Sequence, residues 1–138
     1  MGKNRMQALL ITPYSSGHKS RIALAQTLRN LGVIPILITK ETSEEGDEMA
    51  LSTQRAIERS DFIIADVSGS NPNVMYEVGY AHALRKPVLP IVRRDSEGLP
   101  ASMSGYYYLV YDPSDQSTLK REIRSWISHF VTSGRKKT

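Results

Sequence analysis

The chain has no cysteine in its 138 residues, which excludes a disulfide framework and a thiolate metal site and makes a reducing, cytoplasmic setting the simplest expectation. It also lacks a long apolar run. The N-terminal stretch MGKNRMQALLITP is too short for the apolar region of a signal peptide or for a membrane span, and Pro13 ends it, so a protein that stays off the membrane is expected. Histidine is scarce. His18, His82 and His129 fall in separate predicted elements, so no metal set is expected. There is no serine nucleophile elbow, internal repeat or low-complexity segment. Nor is there a Walker A loop: the turn TPYSSGHKS lacks the earlier glycine, and His18 separates Gly17 from Lys19. Acidic residues are fewer than basic ones, 14 against 18, for a net charge of +4. That balance suits anionic partners. The basic residues nevertheless gather at the ends (Lys3, Arg5, Arg135, Lys136, Lys137), while residues 41–48 form an acidic run. Without a continuous basic stripe, a polynucleotide partner is not expected.

The length suits one domain, residues 1–132, with residues 133–138 as a disordered basic tail. Residues 7–12 (QALLIT) read as a buried strand stopped by PYSSG, and residues 19–31 as a helix with Gly32 as its cap. Residues 33–39 (VIPILIT) read as a second strand, and Pro35, having no N–H to give, predicts an edge position. A polar loop over 40–47 and a helix over 48–59 follow. The run 62–67 (FIIADV) is apolar at successive positions, as expected of a central strand covered on both faces, with Asp66 at its carboxyl end. A loop over 68–72, a helix over 73–85, a strand over 87–92, a polar connection, a strand over 106–111 (YYYLVY) and a helix over 119–131 complete the chain. This alternation predicts a three-layer α/β fold with a five-stranded parallel sheet, flavodoxin-like or Rossmann-like. Ligands in such folds bind beyond the carboxyl ends of the strands. The loops to watch therefore span residues 13–18 and 68–73.

Asn71 and Pro72 suit a helix start, with Asn73 as the alternative cap. Either way Glu77 lies within two turns of the helix N-terminus, at the border of the stripe Val74, Val78 and Ala81. Such an acid is partly shielded. Burial raises its pKa and the helix dipole lowers it. By spacing alone, a salt bridge from Glu77 to Arg85 or Lys86 at a solvent edge weighs as much as a functional role. Gly79 costs helix stability, so its missing side chain is expected to serve tight packing on a strand or the approach of a ligand. The first loop precedes a helix N-terminus, where Ser15, Ser16 and the Gly17 amide suit a phosphate; an ordinary turn is the alternative. The YYYLVY run reads as a strand rather than a stacking platform.

The string ADVSGSNPNVMYEVGYAHALRKPV resembles the signature of the nucleoside 2-deoxyribosyltransferase-like proteins and the related TIR-like nucleotide-binding proteins. In these a strand ends in Asp, a polar loop follows, and the next helix carries Glu-x-Gly-x-Ala, here Asp66, then Glu77, Gly79 and Ala81. The resemblance covers about a quarter of the chain closely. It implies that Glu77 attacks the anomeric carbon of an N-glycoside and that Asp66 holds base or sugar; TIR-like relatives use a comparable glutamate on NAD. The substrate contacts expected are Tyr14, Ser15, Ser16 and Gly17 in the first loop, with Asp66, Ser68, Asn71, Asn73 and Gly79 around the second. No cofactor is implied, and a homodimer or higher homo-oligomer is, with residues 106–108 or the Glu77 helix at the contact. The chain departs from the transferases in two places. Leu9, Leu10 and Ile11 stand where a first-strand tyrosine orients their nucleophile, with Tyr14 only after the strand, and Asn71 replaces a second loop acid. Both departures favour hydrolysis or plain binding over base exchange. The expected function is cleavage of the N-glycosidic bond of a nucleoside, nucleotide or NAD, with a non-catalytic nucleotide-binding module as the alternative. A receiver-like interaction domain is disfavoured, because Thr12 and Pro13 stand where adjacent carboxylates would be needed.

Overall fold

The computed structural model describes residues 5–13, 18–38 and 47–132. The strands are β1 (Gln7–Ile11), β2 (Ile34–Ile36), β3 (Phe62–Asp66), β4 (Val88–Arg93) and β5 (Leu109–Tyr111), and the helices α1 (His18–Asn30), α2 (Asp47–Arg59), α3 (Pro72–Ala83) and α4 (Gln116–Trp126). All strands pair in parallel, in the order β2-β1-β3-β4-β5. The order reverses at β1, so the residues just past its carboxyl end stand at the topological switch point.

Strand side chains alternate between the two faces. Leu10, Phe62 and Ile64 pack with Leu24 and Leu28 of α1 and with Leu119, Ile123 and Trp126 of α4. Leu9, Ile11, Ile63 and Ala65 pack with Ala56 and Ile57 of α2 and with Val74, Val78 and Ala81 of α3. The result is three layers, with Trp126 edge-on to Phe62 at 5.6 Å. Among the described residues no helix is long and apolar enough to cross a membrane.

Pro35 lies in the edge strand β2, as its missing donor predicts. Pro90 lies in β4, an interior strand, and its geometry accounts for a difference from the sequence reading. The amides of Ile63 and Val67 donate to Pro87 and Ile91, so the odd-numbered residues of β4 bond to β3 and the even-numbered ones face β5. Pro90 therefore has no N–H to offer toward Tyr107 and Tyr108. The β4–β5 ladder covers only Leu109 to Tyr111, and Tyr106, Tyr107 and Tyr108 precede the strand as exposed residues. The final helix starts at Gln116, earlier than the apolar pattern suggests, because the Asp115 side chain accepts from the Thr118 amide at 3.1 Å. It widens into a π-helical stretch, Ile127–Thr132. The predicted acidic loop and basic tail lie outside the described residues.

Candidate active site

Two chain segments reach the carboxyl end of the sheet beside the switch point. The first is the exit of β1 at Thr12 and Pro13. The second is the link from β3 to α3, a tight turn in which Gly69 and Ser70 take left-handed φ values of 77° and 51°. Asn71 then caps α3: its side-chain oxygen accepts from the amides of Asn73 at 2.9 Å and Val74 at 3.2 Å. Pro72 occupies the first helical position. Both cues were readable in the sequence.

Val74, Val78 and Ala81 are buried against the sheet, and this sets the rotation of α3. Glu77, on the flank of that stripe, then lines a cavity of about 30 Å³ with Asn71, Asn73, Thr12, Pro13 and Arg21. The salt-bridge alternative does not occur. Lys86 donates instead to the carbonyls of Glu58 at 2.6 Å and Ser60 at 2.9 Å, closing the end of α2. Among the described residues Glu77 has no hydrogen-bond or ion-pair partner. Burial pushes its carboxyl up from the ordinary 4.5 to about 7, so desolvation wins over the helix dipole.

The structure separates Asp66 from Glu77. By strand alternation Asp66 faces α1 and α4, where it accepts from the Tyr111 hydroxyl at 2.6 Å and the Ser68 amide at 3.0 Å. It lines a second cavity of about 240 Å³ with Thr12, Ser20, Tyr111 and Gln116. Among the described residues only Thr12 lines both cavities. Burial and the bond to Asp66 raise the Tyr111 hydroxyl well above its ordinary range, so it stays a donor.

Ser68 is used structurally, its hydroxyl accepting from the Arg93 amide at 2.7 Å. Gly79 corrects an expectation: it is exposed, a Cβ added there meets nothing within 4 Å, and it lines neither cavity. Tight packing on a strand is thus not what its missing side chain serves. Tyr14, Ser15, Ser16 and Gly17 lie outside the described residues.

Arg21 is the site residue that sequence reasoning overlooked. A signal existed, since Arg21 precedes the buried Ala25 and Leu28 by four and seven positions and so shares their inner stripe. Ile22, assigned to that apolar face by its type, is 52% exposed.

The same architecture occurs in solved structures. The 2-deoxyribosyltransferase from Leishmania mexicana is 21% identical with a TM-score of 0.57 over 63% of this chain, which spans 64% of that protein's length. The fold is nucleoside 2-deoxyribosyltransferase-like. The CMP N-glycosidase BcmB from Clostridium botulinum aligns at 17% identity and a TM-score of 0.64, over 85% of this chain and 97% of its own. The TIR domains of the activated Roq1 resistosome align at 13% identity and a TM-score of 0.55, over 96% of this chain and 76% of theirs. No protein-family model and no curated protein matches the sequence.

Proposed function

We propose that the protein cleaves the N-glycosidic bond of a nucleoside, a nucleotide or NAD, with Glu77 as the nucleophile. The observation that carries this reading is a half-buried carboxyl with no partner among the described residues, in a small cavity of mixed polar and apolar lining at the switch point of the sheet. A structural acid would have a cation or an amide to pair with. In the proposed first step a Glu77 oxygen bonds to C1′ of the sugar as the bond from C1′ to the base nitrogen breaks. The electron pair leaves with the base, which takes a proton from water. Water then attacks C1′, frees the sugar and restores the carboxylate, the two-step logic of retaining glycosidases; a second base in place of water would make the reaction an exchange. A pKa of about 7 leaves roughly half of the carboxyl ionised at neutral pH and makes the ionised half a stronger nucleophile than an exposed carboxylate. Asn71, whose oxygen is committed to the helix cap, keeps its amide N–H groups for a sugar hydroxyl. Asn73 is placed for the same task.

By their names, neighbours of this fold are a 2-deoxyribosyltransferase and a CMP N-glycosidase, which supports a small-molecule substrate. The same reading includes a homodimer, with exposed Tyr106–Tyr108 or Tyr76 of α3 at the contact; sedimentation velocity tests it. One observation favours the alternative of a non-catalytic nucleotide-binding module: no described residue orients Glu77 by a hydrogen bond. Incubation with a panel of ribo- and deoxyribonucleosides, their monophosphates and NAD, read by mass spectrometry for released base, decides between the two. Base release that disappears in Glu77→Gln supports the enzyme. A ligand that binds and is recovered unchanged selects the module, and release unaffected by Glu77→Gln sinks the proposed role of Glu77.

A further inference from the structure

We propose that a groove at the amino end of the sheet, opposite the end that holds the Glu77 cavity, binds a free nucleotide, with its base stacked on an aromatic wall and its phosphate on Arg85. The inference goes beyond the proposed reaction and does not rest on it. Where α3 gives way to β4, an open groove of about 440 Å³ is lined by Pro87 and Val88 of that junction, by Tyr106 and Tyr107, and by Trp126 and Phe130. His82 lines it too, and its ring stacks on that of Tyr106 at 4.6 Å and 7° from parallel. Tyr107 leans on Phe130 at 5.7 Å. Tyr106, Tyr107 and Phe130 are each about half exposed. Rings left half in water gain by covering a further flat ring, and stacking of this kind accepts any base.

Charge selects among flat ligands. Among the described residues the charged groups lining the groove are Arg85 and Lys86, and no carboxylate lines it. The Lys86 ammonium rests on two carbonyl oxygens, and Arg85 makes no hydrogen bond or ion pair among the described residues. The Glu58 carboxylate accepts from the Tyr80 hydroxyl at 2.7 Å and pairs with neither. Arg85 also holds a left-handed φ of 59° just past α3, where its amide and that of Lys86 return to the carbonyls of His82 and Ala81. Glycine is the usual residue at such a turn. The position thus keeps a cationic side chain at a cost in backbone strain. An anion joined to a flat ring answers both features, and a phosphate matches the guanidinium fork. A homodimer contact at Tyr106 would close the groove, so the inference places that contact at Tyr76.

Trp126 is the only tryptophan in the chain and lines the groove, so its emission reports what enters. The test titrates AMP, adenosine and ribose 5-phosphate into the wild type and into Glu77→Gln, the second keeping the nucleotide whole. AMP at millimolar concentration should quench the emission and bind about 10-fold more tightly than adenosine, and ribose 5-phosphate should leave the emission unchanged. Arg85→Gly should remove the advantage of AMP without lowering the melting temperature, because glycine suits the backbone there. Tyr106→Phe should keep binding and Tyr106→Ser lose it. No quenching by AMP, equal binding of AMP and adenosine, or an AMP response unchanged in Arg85→Gly overturns the inference. Affinity that climbs with each added residue of a short single-stranded oligonucleotide overturns the free nucleotide as the occupant. Emission that shifts with protein concentration and ignores nucleotide assigns the groove to a second copy and overturns it as well.

Discussion

Glu77→Gln should make the protein inactive and, above neutral pH, more stable. The carboxyl ionises at about 7 in the folded chain against an ordinary 4.5. Below the ordinary value both states carry the proton and the group contributes nothing to the pH dependence. Between the two values the unfolded chain has released its proton while the folded chain still holds it, so wild-type stability falls as pH rises through that window and then levels off. A gap of this size corresponds to about 3 kcal/mol at full burial. Part of the carboxyl's surroundings is solvent, so about 1–2 kcal/mol is the working figure. Glutamine keeps the shape and cannot ionise. At pH 8.5 the variant should therefore melt roughly 3–7 °C above the wild type, and the two melting temperatures should converge below pH 4.5. Differential scanning fluorimetry across pH 4–9 reads this directly. In the same samples base release should fall at least about 10³-fold, and the wild-type rate should climb with pH through about 7 if the ionised form is the nucleophile. A variant no more stable than the wild type at high pH would refute the burial argument. A wild-type rate that falls with rising pH would mean that Glu77 acts through its protonated form.

Gly79→Ala should stabilise the protein by about 0.5–1 kcal/mol, because Gly79 is exposed in a helix interior with space for a Cβ; a loss of activity with intact stability would support the expected ligand contact there. Asn71→Ala should cost about 1 kcal/mol in urea unfolding through loss of the α3 cap, and it should raise KM more than it lowers kcat; an unchanged midpoint would mean that another group caps the helix. Tyr111→Phe leaves one oxygen of buried Asp66 without its 2.6 Å donor and should cost about 1–3 kcal/mol. If Asp66 serves the loop rather than the substrate, kcat/KM per folded molecule should be nearly unchanged in that variant.

Local signals carried most of the architecture. Successive apolar residues in FIIAD marked a strand covered on both sides, and β3 is buried along its whole length. Pro35 marked an edge, and Asn71 with Pro72 marked the start of α3. The misreadings share one cause, a partner distant in sequence. YYYLVY has strand composition, but whether a residue joins a ladder depends on the donor opposite it, and Pro90 removes that donor. Gly79 suggested close packing or the approach of a ligand, and the packing is absent because its side of α3 meets no neighbour among the described residues.

The amino-acid order by itself determined the βα alternation and the cap of α3, since each follows from contacts within a few positions along the chain. Tertiary structure alone decided which charged groups share a cavity. Asp66 and Glu77 belong to one motif and are eleven positions apart, yet strand pleating turns the first toward α4 while the packing of α3 turns the second to the opposite face. Arg21, more than fifty positions earlier, is brought to Glu77 because the crossovers place the beginnings of α1 and α3 at the same end of a parallel sheet, a long-range consequence of strand order that no local pattern encodes.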